Sequence, residues 1–92
     1  MSNRFNELYT ISEEAMSQEV NGETVILDLK SEQYFGLDET GTRIWQLLNE
    51  FRGLQEIFDT MMEEYDVEEG QLETDIKNLL AEMVANGLIT LK

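Results

Sequence analysis

The chain predicts an α+β domain of winged-helix-like architecture, a three-stranded antiparallel sheet followed by three helices. Short segments with β-branched content at the front are separated by turn-forming residues. Apolar stripes at helical spacing fill the rest. The length of 92 residues is enough for one core and too short for two. A single domain over 1–92 is expected, with residues 1–12 as a lead-in that docks through Phe5, Leu8, Tyr9 and Ile11.

The strands come first. AMSQEV (15–20) and ETVILDL (23–29) flank Asn21-Gly22, a dipeptide suited to the positive φ angles of a two-residue hairpin turn. In the second segment Val25, Leu27 and Leu29 share one face, and Thr24, Ile26 and Asp28 share the other. Lys30-Ser31-Glu32 then turns the chain into QYFGL (33–37), the third strand of a meander. Phe35 and Leu37 fall on one face of it, Tyr34 and Gly36 on the other.

Three helices follow. Ile44, Leu47, Leu48 and Phe51 lie at i, i+3, i+4 and i+7, with Asp38 or Thr40 as N-cap and Arg52-Gly53 as the stop. Leu54, Ile57, Phe58, Met61, Met62 and Tyr65 repeat the pattern. The third helix starts near Gln71 and turns Leu72, Ile76, Leu79, Leu80, Met83 and Val84 inward. It ends at Asn86-Gly87, where Leu88 can fold back on the last turn before a short extended tail to Leu91.

Composition narrows the function. Twenty acidic against six basic residues give a formal charge of −14, which repels nucleic-acid phosphates. That charge serves as a solubility shell or steers a positively patched partner. A winged-helix DNA binder would need a basic recognition helix, whereas the third helix carries Glu73, Asp75, Lys77, Asn78 and Glu82. No nucleic-acid partner is expected. Histidine and cysteine are both absent, which removes the usual general base near neutral pH, thiolate chemistry and Cys-based zinc sites. The run Glu63-Glu64-Tyr65-Asp66-Val67-Glu68-Glu69 lacks the ligand spacing of a calcium loop and reads as a solvated turn. Ser12, Ser17 and Ser31 have no histidine to activate them, and none has the helix-start setting of an acyl carrier's phosphopantetheine serine. No cofactor, no metal and no enzymatic activity are expected. With no stretch of membrane-span length and no secretory signal, the expected location is the cytoplasm, with no membrane partner.

A binding module remains. In a meander, Gln33–Leu37 lies at the sheet edge, unless the lead-in covers it, and its free N–H and C=O groups form a template for another extended chain. Four or five backbone bonds at about 0.5–1.5 kcal/mol each are roughly cancelled by ordering the peptide, at about 1–2 kcal/mol per residue. Affinity must come from apolar anchors at about 1.5–3 kcal/mol each, and these need a groove. The third helix can supply one through Asp75, Ile76, Leu79 and Met83. Tyr34 stands apart: if Phe35 and Leu37 point inward, it does not, and Gly36 beside it lets another backbone come close.

The order of these pieces resembles the PqqD-like family, small domains also called recognition elements of RiPPs (ribosomally made, post-translationally modified peptides). The similarity covers residues 15–90. It rests on a strand ending in Leu27-Asp28, Tyr34-Phe35-x-Leu37, a Thr40-Gly41-x-x-Ile44-Trp45 helix start, a Glu56-Ile57 helix, Tyr65-Asp66, Asp75, and Asn86-Gly87-Leu88-Ile89. The resemblance implies that the leader of a precursor peptide adds as a strand beside Gln33, Tyr34, Phe35, Gly36 and Leu37. Its side chains would lodge against the helix bearing Asp75, Ile76, Leu79 and Met83. It further implies a maturation enzyme as partner, a cysteine protease or a radical-SAM protein. Pyrroloquinoline quinone members often carry proline in the second strand; VILDLKSE has none, which points to stand-alone members, lasso-peptide pathways foremost. A peptide chaperone for a radical-SAM enzyme is the alternative. Leu54 stands where Ser or Thr often caps the second helix, so that helix start is expected to fray. Whether two copies pair through the same strand is left open.

Overall fold

The computed structural model describes residues 6–92; Phe5 lies outside them. The elements run β1 (Tyr9–Ile11), β2 (Ala15–Val20), β3 (Glu23–Asp28), β4 (Gln33–Leu37), α1 (Glu39–Phe51), α2 (Leu54–Glu64), α3 (Glu69–Ala85) and β5 (Ile89–Leu91). The meander is β2-β3-β4, and three helices follow it as expected. Asn21 (φ 55) and Gly22 (φ 82) make the tight turn between β2 and β3, closed by the Val20–Glu23 pair.

Register decides which face of β3 is buried. Thr24 pairs with Leu37, Ile26 with Phe35 and Asp28 with Gln33. Thr24, Ile26 and Asp28 are buried, while Val25 and Leu29 remain exposed. The more apolar face of β3 therefore points away from the core. Asp28 tolerates burial because its carboxylate accepts the Lys30 backbone N–H (3.1 Å) and the Ser31 hydroxyl (2.8 Å), which also fastens the β3–β4 turn.

Asp38, not Thr40, caps α1: its Oδ1 accepts the Gly41 N–H at 2.8 Å. Ile44, Trp45, Leu47 and Leu48 are buried, with Phe51 left exposed at the end of the stripe. The helix stops where Arg52 enters the left-handed region. Arg43 grips Glu64 across α1 and α2 through two hydrogen bonds of 2.7 and 2.5 Å, and this bonding holds the Glu64 carboxyl below the usual carboxylate range.

The sequence did not disclose the second sheet. β1 pairs antiparallel with β5, Tyr9 opposite Leu91 and Ile11 opposite Ile89. Three-residue strands are too short to show a period. The lead-in also corrects the expectation of a frayed α2. No side chain caps that helix, but the Leu54 N–H donates to the Glu7 carbonyl (3.0 Å), Leu8 bridges Gly53, and Leu54 is 1% exposed. Backbone replaces the missing cap. At the far end, α3 begins two residues before the expected Gln71. It closes with the Leu88 N–H on the Met83 carbonyl and the Gly87 N–H on the Val84 carbonyl, both 3.0 Å, while Gly87 takes φ 76. Leu88 is folded inward by this turn; Val84, expected inside, is exposed.

Two outcomes follow. Gly87→Ala should lower stability by about 1 kcal/mol in chemical denaturation, through backbone strain alone, since an added Cβ would meet no atom within 4 Å. Tyr9 is buried and donates to Glu7 (3.2 Å); burial first, then the Glu7 charge and hydrogen bond, push its phenol up to about 12 from 10.0. A raised folded value means that this contribution is intact below pH 10 and is lost as pH rises through about 12. Ultraviolet absorbance titration should show a late phenolic ionisation that Tyr9→Phe removes.

Candidate functional site

Among the described residues, strand β4 has one neighbour, β3. In a two-residue hairpin the closing pair exchanges both backbone bonds, and bonded and non-bonded pairs then alternate. Glu23, Val25 and Leu27 thus direct their backbone groups to β2, and Thr24, Ile26 and Asp28 direct theirs to β4. On β4 the partners Gln33, Phe35 and Leu37 face β3. The N–H and C=O groups of Tyr34 and Gly36 face outward, where no strand lies among the described residues. Within the described part of the lead-in, Tyr9–Ile11 pairs with β5 and not with this edge.

A trench follows the edge between β4 and α3. It consists of two adjoining cavities of about 530 and 280 Å³ that share Gly36, Leu37, Leu79 and Glu82. Phe35, Met83 and Leu88 line one end. Asp38, Ile44 and Asp75 line the other. Most of the expected site residues meet here: Phe35, Gly36, Leu37, Asp75, Leu79 and Met83 all border the trench, and Tyr34 touches its apolar end. Two do not. Ile76 is 0% exposed and belongs to the core, because it lies one turn from Leu72 and Leu80 on the inward stripe. Gln33 is exposed at the start of β4 and lines neither cavity.

Sequence reading missed Asp38, Ile44, Glu82, Asn86 and Leu88 as part of this site. Glu82 was legible in principle, since Asp75, Leu79, Glu82 and Asn86 repeat at helical spacing along one stripe of α3. Asp38 and Ile44 were not, because they reach the trench only once α1 packs beside β4.

Tyr34 has a different setting from the other residues. It is 70% exposed on the outer face of the sheet, where it borders a shallow depression of about 270 Å³ with Met16, Val25 and Leu27. Gly36 shares that face. It has no positive φ, and an added Cβ would meet nothing within 4 Å, so the free protein does not require glycine there. Gly36→Ala should accordingly leave the melting temperature unchanged or raise it, with a gain of at most about 1 kcal/mol.

No group of three or more acidic residues is placed to hold a metal ion among the described residues. Nor is any described helix long and apolar enough to cross a membrane.

The family model described as coenzyme PQQ synthesis protein D (PqqD) matches residues 23–89, from the start of β3 into β5. This chain belongs to the PqqD family. The PqqD match takes in the edge strand, the trench and all three helices. No curated protein matches. Among solved structures, the chain is similar to TbiB1 in complex with the TbiA(beta) leader peptide, at 36% identity over 87% of this chain and 93% of that one, with a TM-score of 0.82. It is also similar to lasso peptide synthetase B1 complexed with the leader peptide, at 26% identity over 88% and 95%, with a TM-score of 0.79.

Proposed function

We propose that this PqqD-family domain binds the leader segment of a ribosomally synthesised precursor peptide by strand addition to β4, and presents it to a maturation enzyme of lasso-peptide biosynthesis. The open edge of β4 beside the trench carries this reading. Tyr34 and Gly36 offer two donors and two acceptors to an incoming strand, and every second side chain of that strand would enter the trench. Two proteins of the same fold were solved with leader peptides, one of them at 36% identity. The domain acts as a recognition element rather than a catalyst and works in the cytoplasm.

The peptide-contacting residues are Tyr34 and Gly36 through their backbone, and Phe35, Leu37, Asp75, Leu79 and Met83 through their side chains. Gln33 extends the edge, and Ile76 supports α3 from beneath. A bound strand would continue the outer face that carries Met16, Val25 and Tyr34, so an enzyme meeting that face would meet peptide and domain together. A cysteine protease is the first choice of enzyme and a radical-SAM protein the second.

The test uses a variant that blocks the edge without opening the ladder. Proline at 36 removes an N–H that points outward, so the β3–β4 bonds survive. Gly36→Pro should keep the circular dichroism spectrum and lose binding of the fluorescently labelled TbiA(beta) leader peptide, the probe taken from the 36%-identical relative. Leu79→Ala should weaken the same titration about tenfold. Met83 is 3% exposed, so Met83→Glu would bury a charge and disturb the fold; Leu79 is the better probe of the groove. Unchanged affinity in both variants would contradict the site.

A further inference from the structure

We propose that the trench selects a peptide with a basic side chain at a set distance from its apolar anchor: an apolar residue opposite Phe35, and a lysine or arginine where the peptide passes Leu37 between Asp75 and Glu82. The inference rests on the strand-addition site described above and adds the chemistry of the peptide that fits it.

The pleat fixes which peptide side chains enter. Phe35 and Leu37 lie on the inner face of β4, so the peptide residues opposite them face the trench, about 7 Å apart. The surroundings of these two positions differ. Beside Phe35 the apolar walls are Leu79, Met83 and Leu88, with Glu82 and Asn86 as the polar lining. Beside Leu37 the cavity of about 530 Å³ shares Leu79 and Glu82 with that end, gains Ile44 in its apolar floor, and adds the carboxylates of Asp38 and Asp75. A floor of methyl groups under a rim of carboxylates suits the long stem and charged head of lysine or arginine.

Among the described residues, no lysine or arginine lines that end. Arg43 is held by Glu64, Lys77 by Glu73, and Arg52 bonds back to the Asn49 carbonyl. Asp38 is engaged through one oxygen by the Gly41 N–H, and Asp75 through one oxygen by the Gln71 amide (2.8 Å each). The rim therefore meets no basic side chain among the described residues, in a chain of formal charge −14. An acidic peptide would be repelled from it. So would a second copy, since pairing through β4 would bring two such rims together.

Random short peptides displayed in a library and selected on the full chain supply the test. Amide hydrogen exchange at Tyr34 and Gly36 reads strand addition independently of side-chain preference. The expected result is that recovered peptides protect both amides and carry Lys or Arg at one fixed offset from an apolar residue. Replacing that lysine with norleucine should weaken binding about three- to fivefold at low salt and less at high salt. The Asp75→Asn, Glu82→Gln double variant should erase the difference while retaining the apolar preference. Peptides that protect both amides without any basic preference would overturn this inference and leave strand addition standing. Failure of every recovered peptide to protect the two amides would overturn both. Concentration-dependent protection with no peptide present would show self-pairing and overturn both as well.

Discussion

The unpaired backbone of Tyr34 and Gly36 is the constraint on which the site depends. Two N–H and two C=O groups at a sheet edge stay hydrated in the free protein and are poised to pair with any extended chain. Such an edge is useful only if it rejects the wrong chains. The chain's charge of −14 opposes both self-association and nucleic acid, and in the proposed mode of binding the trench beside β4 would admit an extended peptide only with side chains that fill it. In that proposal backbone pairing would give the peptide its geometry and the trench its identity.

Keeping that edge open requires the rest of the chain to be tied elsewhere. The lead-in could have covered β4. Instead β1 pairs with β5, and the Glu7 carbonyl takes the Leu54 N–H. One short segment thus joins the start of α2 to the chain that leaves α3. The Gly87 turn then folds Leu88 into the apolar end of the trench. At the other end, Asp38 both caps α1 and stands at the acidic rim. Helix caps and strand ends that serve the fold therefore also shape the proposed binding surface.

The aromatic residues of Tyr34–Trp45 divide their work by depth. Trp45 is buried in the core, Phe35 is partly buried against it, and Tyr34 lies on the outer face. The alternation of a single strand distributes them, which is why neighbours in sequence hold unrelated positions in space.

The hairpin at Asn21-Gly22, the third strand at 33–37 at the edge of the meander, and the three helices could be read from the order of residues alone. These rest on local signals: turn residues that accept positive φ, a period of two, and a period of 3.6. Tertiary structure decided the rest. It turned Thr24, Ile26 and Asp28 inward, because pairing with Phe35 and Leu37 outweighs the greater hydrophobicity of the opposite face, and because Asp28 finds its donors in the following turn. It placed Ile76 in the core and brought Asp38 and Ile44 to the trench. It joined two three-residue strands from opposite ends of the chain, a pairing that has no local signal because neither half is stable until the core behind it has formed.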